Sequence, residues 1–195
     1  MSLNKYKSTA LNSHNNPMEE FLVLVDDTDN AWGKMEKMEV HRLGLLHRAF
    51  SVFVFNSKGD LLLQQRADTK YHSANLWTNT CCSHPRFGEE TDFAARRRLK
   101  EEMGLSCHLD HGFSFTYKVK FENGLTEHEF DHVYFGVSDE MAILDPEEVQ
   151  NWKYISIEDL LADLKTNPQN YTEWLKLSID KVTEHIQHGR LSTVA

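Results

Sequence analysis

The chain has 195 residues, of which 40% are hydrophobic and 26% are charged, and its formal net charge is −9. The length and composition predict one soluble domain with a buried core. The net charge argues against a general nucleic-acid binder, because phosphate contacts need a basic surface, but it leaves room for a small anionic ligand in a local basic pocket or on metal ions. Three cysteines (Cys81, Cys82 and Cys107) are too few for a disulfide framework, and no apolar run approaches the roughly 20 residues of a membrane span. We therefore expect a cytoplasmic protein without membrane partners, with a flexible arm at residues 1–18 and one domain at residues 19–190.

Strand-like segments dominate the first third of the chain. Residues 21–25 form a short apolar run, and the charged residues 34–39 fit a second strand. Residues 48–55 are nearly continuous in apolar and β-favouring side chains, which is typical of a buried central strand. A turn at residues 56–60 then predicts that residues 61–66 return as the hairpin partner of this strand.

The next segments predict one helix and one hairpin. Residues 90–103 have the composition of a helix and end at Gly104, a residue favoured just after a helix. Two strands, at residues 113–121 and 127–137, are joined through a turn at residues 122–124 that contains Asn-Gly, a strong hairpin signal.

The last part of the chain predicts a turn at Asp145-Pro146, followed by amphipathic helices at residues 157–164 and 171–185. The sequence contains no repeat and no Gly/Ser-rich linker. We therefore expect a single domain of the α+β class.

Two segments combine groups that carry chemistry. The segment 81–85 (C-C-S-H-P) places thiols beside an imidazole, and Glu127 and Glu129 point to one face if their strand is extended. With His41 and His47 upstream, three imidazoles and two carboxylates would suit a divalent ion such as Zn²⁺ or Mn²⁺. Chance alignment is the alternative, because the chain contains 11 histidines.

The adjacent thiols of Cys81 and Cys82 compete for one role. Side chains alternate along an extended segment, so one of the two thiols can face a pocket while the other faces away. A free cysteine is commonly buried and inert, and this alternative stays open for both.

The predicted helix resembles most of a Nudix box, a strand–loop–helix element that binds a metal-bound diphosphate; the matching residues are Glu89, Arg97, Leu99, Glu101, Glu102, Gly104 and Leu105. Ser83 stands where the first glycine of the box would fall, and Arg98 where its central glutamate would fall. Because Nudix hydrolysis uses an acidic cluster to hold metal and activate water, Arg98 suggests a site that keeps the diphosphate intact. From the helix alone, a solvated charged surface is the alternative.

Taken together, four motifs resemble the type 1 isopentenyl-diphosphate isomerases: G-L-L-H-R-A-F-S-V-F-V-F, W-T-N-T-C-C-S-H-P, the divergent Nudix helix and T-E-H-E. The similarity runs in the same order from about Phe21 to Trp174. It implies a Nudix-like mixed β-sheet sandwiched by helices, with N-terminal and C-terminal elaborations. It also implies interconversion of isopentenyl and dimethylallyl diphosphate in isoprenoid biosynthesis, with this small isoprenyl diphosphate as the partner.

The resemblance implies a role for each candidate residue. The catalytic residues of the family match Cys82, Glu129 and Tyr117. The ligands of a divalent ion, Mn²⁺ or Zn²⁺, match His41, His47, His84, Glu127 and Glu129. Glu102 matches an acid that helps to hold Mg²⁺ on the diphosphate. The phosphate contacts match Arg66, Lys70, Arg98 and Lys37, and the aromatic residue that covers the isoprenyl end matches Trp174.

The implied reaction needs an acid and a base on either side of the substrate, because one proton is added to the alkene and another is removed from a tertiary carbocation. Trp174, Trp77 and Tyr117 offer aromatic faces that would stabilise such a cation. A thiol acting unaided is a weak acid for an alkene, so the group that delivers the proton is left open. The alternative functions are a Nudix diphosphate hydrolase and a non-catalytic metal- or phosphate-binding module.

Overall fold

The computed structural model of the protein describes residues 20–189, within which the chain forms nine strands, four α-helices and one 3-10 turn. The predicted arm at residues 1–18 and both predicted domain limits lie outside the described residues. The strands are β1 (Phe21–Val25), β2 (Ala31–Glu36), β3 (His47–Phe55), β4 (Leu61–Arg66), β5 (Trp77–Thr78), β6 (Cys81–Ser83), β7 (Leu109–Lys120), β8 (Thr126–Val137) and β9 (Val149–Ile155). The helices are α1 (Lys37–Leu43), α2 (Thr91–Met103), α3 (Ile157–Thr166) and α4 (Glu173–Gln187), and the 3-10 turn is Pro168–Asn170.

Strand β3 is central to the sheet because it has partners along both edges. Strand β8 runs parallel to it over its whole length, from His47 opposite Glu129 to Phe55 opposite Val137. Along the other edge, β1, β6 and β4 follow one another as short antiparallel partners. Strands β6 and β8, which contain the predicted catalytic Cys82 and Glu129, therefore flank β3 from opposite sides.

Helices cover both faces of this sheet. Helix α2 packs over Phe50, Val52 and Val54 on one face, whereas α3 and α4 pack over Phe53 and Phe55 on the other. Strand β3 is therefore apolar almost continuously, as expected for a strand covered on both faces. The mixed sheet between helices and the α+β class are confirmed. No helix within residues 20–189 has the length and apolar character needed to cross a bilayer.

The predicted strand at residues 34–39 is wrong in its second half, because β2 ends at Glu36 and α1 begins there. The Glu36 carboxylate accepts hydrogen bonds of 2.9 Å from the backbone N–H groups of Met38 and Glu39. Such a cap satisfies donors that the first turn of a helix leaves unpaired. The helix then places His41 on its buried side.

The sequence predicts that β3 and β4 pair as a hairpin, and this is wrong beyond the turn. The two strands pair at one position, Phe55 opposite Leu61, next to the turn. Strand β4 diverges from β3 and pairs with β9, a strand that the sequence analysis did not predict, and with β5. Thr80 spans the gap: its hydroxyl donates to the Leu62 carbonyl at 2.7 Å and accepts from the Val54 N–H at 2.8 Å. Side-chain hydrogen bonds replace the missing backbone ladder at this point.

The predicted hairpin of β7 and β8 is confirmed, with Tyr117 directly opposite Glu129. The pairing contains one register shift, between His111 and Phe113, and Gly112 lies within it. The irregularity lets the β7 backbone approach the Phe135 ring closely. Glycine suits such a position because it has no Cβ.

Replacing Gly112 with alanine should destabilise the protein by about 1–3 kcal/mol, the usual cost of overpacking a core. The added Cβ would lie 2.3 Å from Phe135 Cε2. Gly33→Ala is the matched control, because its Cβ would lie 3.8 Å from Leu24 Cδ1, an ordinary contact distance. Chemical denaturation measures both variants, and equal free energies of unfolding would contradict the packing argument.

Candidate active site

One pocket receives side chains from helices α1, α2 and α4 and from strands β4, β6, β7 and β8. It is lined by all of the predicted site residues except His41 and His47, which are fully buried. The predicted residues that line it are Lys37, Arg66, Lys70, Cys82, His84, Arg98, Glu102, Tyr117, Glu127, Glu129 and Trp174.

Four side chains converge beside this pocket: His41 from α1, His47 from the start of β3, His84 after β6, and Glu127 from β8. One nitrogen or oxygen atom of each lies within 4.8 Å of those of the other three. His47 Nε2 lies 3.2 Å from His84 Nε2, and His41 Nε2 lies 3.0 Å from Glu127 Oε2. Neighbouring ligands of a tetrahedral zinc ion are about 3.4 Å apart, so this spacing suits a small divalent cation.

The chemistry of this cluster also fits a cation. His41 Nε2 and Glu127 Oε2 are buried and have no aligned hydrogen-bond partner although they are close together, as expected for atoms turned toward a shared centre. Burial lowers the pKa of His47 to about 4, and it lowers the pKa of His84 well below its ordinary value. Both rings are therefore neutral near pH 7, which is the form that binds a metal.

Glu129 connects this cluster to the pocket. Its Oε1 lies 3.0 Å from His84 Nε2, and its Oε2 accepts a hydrogen bond of 2.7 Å from the Tyr117 hydroxyl. Burial raises the pKa of Glu129 well above its ordinary value, and the nearby Glu127 and Asp131 carboxylates raise it further. Burial also raises the pKa of Tyr117, so its hydroxyl keeps the proton that it donates to Glu129.

The two adjacent thiols face opposite sides of β6, as alternation along a strand predicts. Cys82 lines the pocket, whereas Cys81 is fully buried in the core beneath α2. Burial raises the pKa of Cys82 to about 12, so this side chain is a protonated thiol near neutral pH. Cys82 and Glu129 thus present a thiol and a carboxyl group to one pocket from strands on opposite edges of β3.

A second part of the pocket combines cations with carboxylates. Arg98 Nη2 donates to Glu102 Oε1 at 2.7 Å and to Glu148 Oε1 at 2.8 Å. Lys70 contacts the other oxygen of Glu148, and Gln64 donates to the buried Glu102 at 3.2 Å. A phosphate group entering here would meet two cations that are held in place by one carboxylate.

Arg66 connects the pocket to the loop at residues 67–76. Its Nε donates to the Ser73 carbonyl at 3.2 Å and its Nη2 to the His72 carbonyl at 3.3 Å. Its guanidinium carbon lies 5.1 Å from the centre of the Trp174 ring, a stacking distance for a cation and an aromatic face. Arg66 therefore orders the loop and also supports Trp174.

Lys37 and Trp77 are the remaining predicted residues, and of these two Lys37 lines the pocket whereas Trp77 does not. Lys37 lines the pocket, where its Nζ lies 2.8 Å from Glu20 Oε2. Trp77 was expected in the aromatic wall, and this prediction is wrong, because Trp77 packs against the core with Lys153 Nζ 4.4 Å from its ring centre. The aromatic wall is formed by Tyr117 and Trp174, with contributions from the loop at residues 67–76.

The sequence analysis missed six lining residues: Glu20, Gln64, Tyr71, His72, Ser83 and Glu148. Tyr71 and His72 directly follow Lys70 in an irregular loop, where no periodicity indicates which side chains point inward. A histidine next to a basic residue in a polar loop was the available signal. Glu148 precedes β9, the strand that was not predicted.

Comparison with solved structures supports the fold. The structure of DR0079 from Deinococcus radiodurans superposes with a TM-score of 0.70 and 22% identity, covering 83% of this chain and 98% of that one. A MutT protein from Methanosarcina mazei superposes with a TM-score of 0.60 and 15% identity, covering 71% and 94% of the two chains. The sequence profile of the NUDIX domain matches residues 45–175.

Comparison with named protein sequences identifies the family more closely. Isopentenyl-diphosphate Delta-isomerase 2 of Aromatoleum aromaticum is 52% identical over 165 residues, which cover 85% of this chain and 87% of that protein. The isopentenyl-diphosphate Delta-isomerase of Pectobacterium atrosepticum is 50% identical over 171 residues, covering 88% and 95%. That of Serratia proteamaculans is 54% identical over 157 residues, covering 80% and 88%. With the Nudix fold and this level of identity along most of its length, the chain belongs to the isopentenyl-diphosphate Delta-isomerase family.

Proposed function

We propose that this protein interconverts isopentenyl diphosphate and dimethylallyl diphosphate by protonation and deprotonation through a tertiary carbocation. One observation carries the proposal: a thiol and a carboxyl group enter one pocket from opposite edges of β3, beside a cationic region. An allylic double-bond shift needs two proton-transfer groups around a short hydrocarbon and an anchor for its charged end. A Nudix hydrolase needs a cluster of carboxylates to hold metal and activate water. Arg98 replaces one of these carboxylates, so the site favours an isomerase over a hydrolase.

The proton transfers are assigned to Cys82 and to the Glu129–Tyr117 pair. The Tyr117 hydroxyl donates a 2.7 Å hydrogen bond to Glu129 Oε2. This bond holds the Glu129 carboxyl group in one orientation, so the direction in which it gives or takes a proton is defined. Cys82 supplies a neutral thiol from the other edge of β3. Because the reaction is reversible, the group that gives a proton in one direction takes it back in the other.

The carbocation requires a site that stabilises positive charge and excludes water. Trp174 is 4% exposed and Tyr117 is 8% exposed, so both rings are shielded from solvent in the wall of the pocket. The buried Glu127 carboxylate adds negative charge nearby. These residues favour the electron-poor intermediate over the uncharged alkene.

The cation site is assigned to His41, His47, His84, Glu127 and Glu129. Mn²⁺ and Zn²⁺ both accept such a set of imidazole and carboxylate ligands. A divalent ion bound there would lower the proton affinity of the Glu129 carboxylate.

The diphosphate is assigned to the part of the pocket around Arg98 and Lys70, with Arg66 and Lys37 as further cations. Mg²⁺ on the diphosphate would reduce its charge, and the buried Glu102 is the carboxylate placed to hold that ion. Anchoring the charged end provides binding energy that the five-carbon tail lacks.

The unpaired thiols of Cys81, Cys82 and Cys107 favour action in the reducing cytoplasm.

Incubation with isopentenyl diphosphate and Mg²⁺ in deuterated water tests this function. The expected result is dimethylallyl diphosphate with deuterium in the newly formed methyl group, because the proton added to the alkene comes from a group that exchanges with solvent. Release of phosphate or isopentenol would indicate a hydrolase instead. Unlabelled, unchanged substrate would indicate a binding module.

Metal removal should abolish turnover. Exhaustive dialysis against a strong chelator is expected to leave the protein inactive, because the five buried ligand groups would lose the ion that neutralises and orders them. Activity should return when Mn²⁺ or Zn²⁺ is added together with Mg²⁺, and it is measured by the deuterium assay. Turnover that persists after dialysis would reject the metal-dependent mechanism, provided that elemental analysis confirms that the protein contains no metal.

A further inference from the structure

We propose that His72 is a positioning residue that holds one oxygen of Glu127 and thereby directs the other oxygen toward the metal site. The inference rests on the metal centre proposed above. His72 lies in the loop at residues 67–76, apart in sequence from the ligand motifs, and it carried no predicted role. The structure places it against the only carboxylate among the four clustered ligands.

The two oxygens of Glu127 have different surroundings. Oε2 lies 3.0 Å from His41 Nε2 and 3.7 Å from His47 Nε2, so it faces the imidazole cluster. Oε1 lies 2.8 Å from His72 Nε2. A carboxylate can bind a cation through one oxygen or both, and a donor that occupies Oε1 favours binding through Oε2.

His72 is itself held in one orientation. Its ring stacks on Phe121 with centroids 4.6 Å apart and planes 12° apart, and its edge faces Trp174 at 6.0 Å. Its Nδ1 lies 3.2 Å from the Ser73 hydroxyl. A neutral ring that accepts from Ser73 at Nδ1 carries its proton on Nε2, the nitrogen that faces Glu127.

The backbone around His72 is anchored as well. Asn123 donates from its side chain to the Tyr71 carbonyl at 3.0 Å, which ties the loop to the turn between β7 and β8. Arg66 donates to the carbonyls of His72 and Ser73. These bonds fix the loop from two sides, so the contact between His72 and Glu127 has a rigid support. His72 Nε2 is buried and makes no aligned hydrogen bond in this structure, and Glu127 Oε1, 2.8 Å away, is the acceptor within its reach.

The test compares the metal affinity of variants that separate the nitrogen donor from the aromatic ring. His72→Phe keeps a ring that can stack on Phe121 but has no N–H group, whereas His72→Gln keeps an N–H donor of similar reach. Metal-depleted protein is titrated with Mn²⁺ or Zn²⁺ against a chromophoric chelator. We expect His72→Phe to bind the ion about 10- to 100-fold more weakly, the usual effect of removing a group that orients a metal ligand. His72→Gln should retain most of the affinity.

His108→Phe is the matched control, because His108 is exposed and contacts Asp110 outside the pocket. Thermal unfolding of the metal-free variants shows whether each one is folded before titration. Unchanged affinity in His72→Phe, or equal weakening in His72→Gln and His72→Phe, overturns the inference while leaving the metal centre intact. If the unaltered protein binds neither ion, the proposed metal centre fails and the role of His72 fails with it.

Discussion

Replacing Cys82 with alanine should lower the rate of isomerisation by at least roughly a hundredfold, as removal of a group that transfers a proton usually does. The thiol is the proposed acid–base group that β6 contributes to the pocket, and the methyl group of alanine has no exchangeable proton. The substitution removes one sulfur atom at a partly buried position, so the folded structure should persist. The rate of methyl labelling in deuterated water measures the effect.

Cys81→Ala is the matched control, because it makes the same chemical change one residue earlier in the same strand. Cys81 is fully buried beneath α2 and faces away from the pocket. We expect this variant to lose some thermal stability and to keep its catalytic rate. An inactive Cys81→Ala together with an active Cys82→Ala would transfer the role to the neighbouring thiol.

Glu129→Gln is the second change with a large expected effect, a loss of at least roughly a hundredfold in rate. Glutamine has nearly the same shape as glutamate and can still accept the Tyr117 hydrogen bond. It cannot exchange a proton as a carboxyl group does, and it is a poorer ligand for a divalent cation. The rate of isomerisation is measured alongside bound metal, which separates lost proton transfer from lost metal.

Asp131→Asn provides the corresponding control on the same face of β8. Asp131 is a buried carboxyl group two residues from Glu129, and it accepts a hydrogen bond of 2.8 Å from the Ser51 hydroxyl. An asparagine can keep that bond, so we expect most of the activity to remain. Comparable losses in both variants would mean that buried negative charge in general, rather than the Glu129 carboxyl group, drives the reaction.

The order of elements was largely predictable from local patterns. Continuous apolar residues marked β3, and the helical stretch ending at Gly104 marked α2. The errors lie where a side chain overrides the pattern. Glu36 starts a helix inside a segment that reads as a strand, and Thr80 bridges two strands that a simple hairpin would have joined directly.

The site was predictable where the family resemblance covers the residues. That resemblance assigned Cys82 and Glu129 to one pocket, whereas strand alternation alone left Cys81 and Cys82 as alternatives; the structure brings Cys82 and Glu129 to the pocket wall. Tyr71 and His72 could not be assigned in this way, because the irregular loop at residues 67–76 has no fixed alternation. Trp77 was misplaced because aromatic character alone does not distinguish the wall of a pocket from the core.

The pairing of β3 along both edges limits how related proteins can change in length. An insertion or deletion of one residue within β3 would exchange its inward and outward side chains and break two registers at once. The short link between α1 and β3 has no such restriction, because residues 44–46 belong to neither element. A change of length between His41 and His47 would therefore be accommodated in this link, whereas we expect the spacing inside β3 to remain constant.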